Sequence, residues 1–364
     1  MTQLAPESVA YSAGELRAFG AALFRKAGLD GDKPEVSAGV LVEADLMGHT
    51  THGLALAPRY IQEIGSGSMA ATGDPEVVSD RGACVCWNGR RLPGVWLTAK
   101  GVDLAVERAS TYGTVTVAIG NSHHIGCLAA YLPRVTDKGY LAIVSSSDPS
   151  QKTVAPFGGR EPVFTPNPVA VGIPTDGDPI LLDTSASITT NNMGARLVRE
   201  GRKFPGVWAL DAAGQPSDDP TVLTAGGTIL PAGGLDHGHK GYAWAILVEA
   251  LTQGLAGFGR AEQPKGWGAC VFVQVIDPSA FGGREAFVRE TSWLARACQT
   301  VAPRPGVERV RLPGENAVAR RRDADTRGVV PYSGVIEALR PAADKFGVPM
   351  PSPITNHQSP ITNG

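Results

Sequence analysis

Residues 114–146 read TVTVAIGNSHHIGCLAAYLPRVTDKGYLAIVSS. The β-branched and small apolar residues of 114–119 predict a strand, and the run breaks at Asn121-Ser122-His123-His124-Ile125-Gly126, a polar loop closed by glycine. A helix is expected from there to about residue 138, then a second strand over 140–146. Strand, histidine loop, helix and strand follow one another as in an α/β layer. Working outward, the sequence predicts a helix over 96–112 and a strand over 84–87 that turns back as a hairpin at Asn88-Gly89. Further strands are expected at 168–173, 179–183, 206–210, 269–276 and 307–311. Helices are expected at about 187–200, 240–257, 284–299 and 332–346. The fold class is α/β (α+β).

The first 65 residues differ in texture. Ser12 with Glu15, and Asp32 with Glu35, have capping-box spacing and open two helices, with Pro34 in the first turn of the second. Val36, Val40, Leu41 and Ala44 recur at helical spacing up to Gly48. This helix end delivers Gly48-His49-Thr50-Thr51-His52-Gly53-Leu54, after which Pro58 suits the first turn of a third helix ending at Gly65. Four of the seven histidines thus lie in two short glycine-closed loops. Imidazole titrates nearest neutrality, so such loops suit a site that gives and takes a proton.

The chain has 364 residues, 43% hydrophobic and 19% charged, with a formal net charge of −2. Interspersed charges leave no basic footprint for nucleic acid or a membrane surface, so the expected partner is a small molecule and the expected location the cytoplasm. No segment reads as a membrane span or a signal peptide. The five cysteines lack metal-ligand spacing and read as reduced and mostly buried, with Cys84 and Cys86 on one face of a strand. The tail repeats Ser352-Pro353-Ile354-Thr355-Asn356 as Ser359-Pro360-Ile361-Thr362-Asn363, a polar pair expected to form a mobile end from residue 349.

A dinucleotide fingerprint is sought at Gly65-Ser66-Gly67-Ser68-Met69-Ala70 and fails, because these glycines end a helix rather than lead from strand into helix. Two other stretches suit phosphate. Gly238, His239, Lys240 and Gly241 precede a long apolar helix, so amides and cations converge there. Leu182-Asp183-Thr184-Ser185 carries a strand end into a helix through hydroxyl residues. No metal ligands are assigned. The competing metal-assisted lyase or hydrolase would draw on His123, His124, His237 and His239.

Several motifs in shared order carry a resemblance: Thr51-His52-Gly53 with Pro58 and Tyr60, Asn121 to Gly126, Pro156-Phe157-Gly158-Gly159, and Thr165-Pro166-Asn167-Pro168-Val169-Ala170. Leu182-Asp183, Trp208-Ala209-Leu210-Asp211 and His239-Lys240-Gly241-Tyr242 continue it. Over most of residues 10–350 the chain resembles the malate/L-lactate dehydrogenase family. That family lacks a Rossmann fold and includes ureidoglycolate, sulfolactate and 2,3-diketogulonate enzymes and piperideine-2-carboxylate reductases. The resemblance implies a homodimer and a non-Rossmann, mixed-sheet NAD(P)-binding domain over 76–290. It implies a helical domain over 1–75, joined by C-terminal helices from about 290–348.

By the same resemblance His52 is the acid/base and Asp183 its assistant, hydrogen-bonded to it. Thr51, Tyr60, His124, Leu56 and Arg59 face the substrate, and His124, Asn167, Pro168 and residues 238–241 face NAD or NADP, with NADPH the expected donor in a reductase role. Leu56 departs from the family, whose members mostly carry an arginine there to grip the substrate carboxylate, a grip leucine cannot make. Arg59 is the nearby substitute, and His123 adds an imidazole beside His124. The expected activity is hydride transfer to or from C2 of a small 2-hydroxy or 2-keto acid, a related ketone or a cyclic imine. The missing arginine also motivates a reading as a non-catalytic ligand-binding protein.

Overall fold

The computed structural model describes residues 9–354. Helix α1 (Ala13–Ala27) starts at Ser12, whose hydroxyl accepts the Glu15 amide, and ends at left-handed Gly28. Helix α2 (Lys33–Leu46) follows the expected span, but Asp32 does not cap it with its side chain. Its carboxylate instead accepts Trp96 Nε1 at 2.9 Å, a tertiary bond that the local pattern does not encode. After a short 3₁₀ turn, α3 (Ala57–Gly65) runs as expected with Pro58 in its first turn.

Strands β1 (Glu76–Asp80) and β2 (Cys84–Asn88) form an antiparallel hairpin. Its turn lies at Gly82, so the hairpin precedes 84–88 rather than following at Asn88-Gly89. Gly89 N and Arg91 N donate to Gly120 O and Asn121 O and run on alongside the next strand. Helix α4 (Gly94–Tyr112) crosses over to β3 (Thr114–Ser122), which lies parallel to β2. Beyond β3 the expected single helix is a 3₁₀ turn at Leu128–Tyr131 and a short α5 (Pro133–Thr136), because Pro133 cannot continue a preceding turn. Then come β4 (Leu141–Ser147), β5 (Pro168–Ile173) and β6 (Ile180–Ser185).

Helix α6 (Asn191–Arg199) leads to a small sheet of β7 (Ala209–Leu210), β8 (Pro216–Ser217) and β9 (Thr228–Ile229). The turn α7 (Gly234–His237) and α8 (His239–Glu249) follow, then a π-helical turn at Ala250–Gly254 and β10 (Ala269–Ile276). The chain closes with α9 (Arg284–Thr300), α10 (Glu315–Arg327) and α11 (Val335–Phe346).

The main sheet has the order β1-β2-β3-β10-β4-β5-β6. β10 lies antiparallel to both β3 and β4, so the two strands that open the sequence reading are separated by the last strand of the chain. Its run Ala-Cys-Val-Phe-Val-Gln-Val-Ile is nearly all buried, as a strand covered on both faces must be. Val271, Val273 and Val275 share the main core with α4, while Cys270 points the other way, with its Sγ on Phe258 O. On that side Ser147 Oγ and Thr252 Oγ1 bond at 2.7 Å, tying the sheet to the π turn.

Helices α10 and α11 return to α2, α1 and α3, and Leu339 and Ala343 join the core there. Helix α9 does not join them. Thr291 Oγ1 and Ser292 Oγ hold it to Pro174 O and Asp176 N in the β5–β6 turn.

The strand expected at 307–311 is absent, since its short alternation finds no partner strand. Of the tail expected to be mobile, residues 349–354 dock: Pro353 bridges Tyr11 and Ile354 N donates to Ala10 O. The remaining tail residues lie outside the described ones. Cys127 and Cys270 are buried, but Cys84 and Cys298 are exposed, and all five thiols are free. Among the described residues no helix is long and apolar enough to cross a membrane.

Candidate active site

The two histidine loops meet. His52 and His124 stack with ring centroids 6.0 Å apart and planes 26° apart. Gly126, at φ 69°, lies against Val95 and the His52 carbonyl, where a side chain is disfavoured both by the left-handed backbone and by space. Each loop is fixed from behind. Asp45, buried on α2, accepts the Leu54 amide at 2.8 Å and so anchors the segment just past His52. Burial raises the Asp45 carboxyl to about 7, with the Leu54 bond opposing.

Gly94 performs the same service for the other loop. A Cβ there would stand 1.9 Å from His123 O and 2.6 Å from His124 O, so the first turn of α4 can sit under this loop only without a side chain. Gly94→Ala is expected to lower stability by about 1–3 kcal/mol and to depress turnover by displacing His124. Thermal melting and steady-state rates measured on the same preparation check both effects.

His52 is half-buried. Its Nδ1 faces Thr51 Oγ1 at 2.9 Å and its Nε2 faces Asn192 Nδ2 at 3.4 Å. With Asn192 presenting its amide nitrogen, the arrangement suits the tautomer in which Nδ1 donates to Thr51 and Nε2 accepts. Burial, with His49 adding to it, lowers the His52 pKa to about 4. The expected hydrogen bond between His52 and the Asp183 carboxylate is not made. Asp183 Oδ2 accepts the Ala129 amide at 3.1 Å and faces Cys127 Sγ at 3.6 Å. Although the residue has an exposed edge, the protein packed around its carboxylate raises its pKa, with His49 the largest opposing influence.

His124 Nδ1 bonds Tyr60 OH at 2.9 Å, and the ring stacks on Trp267 at 4.2 Å. Burial and the neighbouring imidazoles hold His124 well below its ordinary pKa. Arg59 lies over the Trp267 ring as well, 3.6 Å from its centroid, and pairs with Glu63 at 3.7 Å. Leu56, in the 3₁₀ turn after the loop, packs partly against the main core. His123, read as an extra imidazole for the site, is fully buried edge-on to Tyr60 and Trp267, with Glu63 Oε2 3.5 Å from its Nε2, and burial brings it down to about 3. It is a neutral packing residue.

The strand end read as a phosphate stretch runs beside this cluster. β6 and the start of α6 supply Asp183 and Asn192, while Ser187 bridges Pro231 and Ala232 N donates to Ala186 O. That brings residues 231–241 alongside. Gly241 is obligatory there, since a Cβ would lie 2.4 Å from Ala232 N, and a Cβ at Gly238 would lie 2.3 Å from Gly234 O. His239 and Lys240 are exposed at the start of α8. Lys240 at this helix start, with the hydroxyls of Thr184 and Ser185, offers a charge and donors of the kind phosphate takes.

Asn167 does not belong to that surface. It is fully buried at φ 49°, takes a hydrogen bond from Thr165 Oγ1 and gives its own to Ala245 O and Glu249 Oε1, so it braces α8 from inside. Pro168 opens β5 opposite Ser185 and offers no hydrogen-bond donor. A cavity of about 190 Å³ lies behind the second histidine loop, lined by Arg91, Asn121, Asp148 and Lys265 among others, and none of the site imidazoles lines it.

His123, His124, His237 and His239 do not converge as metal ligands. Among the described residues the donors that do converge are His49, Cys127 and Asp183. Sequence reasoning missed Trp267, Asn192 and Asp45, which come from distant segments with no local signal, and it gave no role to His49.

Residues 11–340 match the sequence profile described as malate/L-lactate dehydrogenase. A (2R)-3-sulfolactate dehydrogenase (NADP(+)) of Chromohalobacter salexigens is 32% identical over 315 residues, 84% of this chain and 90% of that protein. The Δ1-piperideine-2-carboxylate reductase of Pseudomonas syringae pvar. tomato superposes with a TM-score of 0.81 at 27% identity, covering 92% of this chain and 99% of that one. The malate dehydrogenase of Entamoeba histolytica shares the fold, with a TM-score of 0.88 at 24% identity and coverage of 94% and 99%.

Proposed function

Because the chain belongs to the malate/L-lactate dehydrogenase family and is an NAD(P)-dependent dehydrogenase, we propose that it moves a hydride to or from C2 of a small 2-hydroxy or 2-keto acid, a related ketone or a cyclic imine, with His52 as the acid/base. The observation that carries this reading is the His52–His124–Tyr60 cluster formed from two separate loops, with His52 Nε2 facing Asn192.

Lys240 and His239, with the hydroxyls of Thr184 and Ser185, would hold a nicotinamide cofactor, which would supply or accept the hydride. The chain's own residues manage the proton. In oxidation the neutral His52 takes the substrate hydroxyl proton on Nε2, and the Nδ1 hydrogen bond to Thr51 keeps the ring turned for it. In reduction the same nitrogen returns a proton. A bound substrate carboxylate would raise the imidazole's affinity for that proton above that of the empty site. His124, held by Tyr60 and Trp267, orients the substrate oxygen or nitrogen. Asp183 acts at one remove, through the charge it places beside the His49–His52 loop. Arg59 on Trp267 takes the place of the missing carboxylate grip at position 56.

The same reading assigns a cytoplasmic location and a homodimer, the latter supported by the exposed Trp244, Ile246 and Leu247 of α8. NADPH is the proposed donor in the reductive direction. The test is the loss of reduced-nicotinamide absorbance, with NADPH and NADH separately, against 2-keto acids, neutral ketones and cyclic imines. Turnover is expected, with bulkier or less anionic substrates preferred over small dicarboxylates. Binding of a nicotinamide without turnover of any of them would favour a ligand-binding protein instead.

A further inference from the structure

We propose that His49, Cys127 and Asp183 form a binding site for one borderline-soft divalent cation, with Zn²⁺ the best match, which restrains the neighbouring acid/base loop. The three side chains come from three segments: the loop after α2, the end of the second histidine loop, and β6. Their donor atoms lie within 4.8 Å of one another. Nitrogen, sulfur and a carboxylate oxygen are the donor types zinc takes. Tetrahedral bonds of about 2.0–2.3 Å set donor separations of roughly 3.3–3.8 Å, so closure needs a shift of about 1 Å. The His49 ring can supply that shift, because it makes no side-chain hydrogen bond among the described residues.

Neither Cys127 nor the His49 side chain has a place in the proposed reaction. The Cys127 thiol is buried yet faces Asp183 Oδ2 at 3.6 Å, and Asp183 is open to solvent, which gives the ion a way in. On binding, the thiol loses its proton to solvent and the sulfur, imidazole and carboxylate each give one bond, with a water completing four. His49 O accepts the His52 amide at 2.9 Å, so fixing His49 also fixes the backbone turn that presents His52. The consequence for catalysis rests on the reading of His52 above, while the binding itself does not.

The test uses the full chain, treated with chelator and titrated with Co²⁺ as a spectroscopic stand-in for Zn²⁺. One equivalent is expected to produce a near-ultraviolet thiolate-to-cobalt band and the visible bands of a four-coordinate ion, both lost when Zn²⁺ displaces it. Cys127→Ser is expected to remove the thiolate band, and His49→Gln to weaken binding by about 10-fold or more. His49→Gln keeps the test open if Cys127→Ser does not fold. Absence of a thiolate band at one equivalent in the unsubstituted protein overturns the proposal, as does unchanged binding by a folded His49→Gln variant. Because this readout needs no turnover, its failure is distinct from failure of the dehydrogenase reading.

Discussion

His52→Ala is expected to fold normally and to lose turnover by about 100- to 10,000-fold, the range that a positioned general acid/base supplies. The side chain is half-buried, and its recorded hydrogen-bond partners are Thr51 and Asn192, so its removal opens no sealed core. Stability should therefore change little while the rate collapses. The loss should fall on kcat, since the proton moves in the chemical step and not in binding. With a folded variant in hand, full turnover with both NADH and NADPH would remove His52 from the mechanism. Tyr60 and His124 would then be the remaining candidates, since Tyr60 OH already meets His124 Nδ1.

The second large effect is on the pH dependence of stability. In the folded chain Asp45 titrates at about 7 against an ordinary 3.8, so between those values the folded state binds a proton that the unfolded state has lost. Stability contributed this way is present at low pH and drains away as pH rises towards about 7, by a few kcal/mol in all. The histidines act in the opposite sense. His52 and His123 titrate at about 4 and about 3 in the fold, and His124 is also lowered, against an ordinary 6.5. Below about 6.5 the unfolded chain takes up protons that the folded chain refuses, so stability falls as the solution is acidified.

Asp45→Asn keeps an oxygen for the Leu54 amide and removes the titration. Relative to the unsubstituted protein, its stability is expected to rise by a few kcal/mol from about pH 5 to about pH 8, on top of the histidine contribution that both share. The acid-side loss should be common to both. Urea midpoints at the two ends check this, and parallel curves for the two proteins would show that Asp45 is ionised in the fold.

Much of the organisation is legible in the chain because it is local. Ser12 with Glu15, Pro34 and Pro58 mark helix starts through hydrogen-bonding and φ requirements that act within a few residues. The same holds for the failure of Gly65-Ser66-Gly67 as a dinucleotide fingerprint, since α3 ends there. Helix α10 escapes because Glu315–Arg327 is mostly polar and its few apolar residues, Ala317, Val318, Ala319 and Ala324, are too small and sparse to give a readable period. The strand expected at 307–311 fails for the converse reason, as alternation without a neighbouring ladder has nothing to pair with.

By itself the sequence determined the helical start, the β-rich middle, the two histidine loops and the family to which they belong, because capping, periodicity and motif order are properties of adjacent residues. Only the tertiary structure decided that β10 enters between β3 and β4, that Asn167 is an interior brace, and that Asp183 faces Cys127 and Ala129 rather than His52. It alone brought Trp267 onto His124, Asn192 onto His52 and Asp45 beneath Leu54. These pairs are separated by many residues, or cross from helix to loop, and close packing selects them. No spacing along the chain can express that choice.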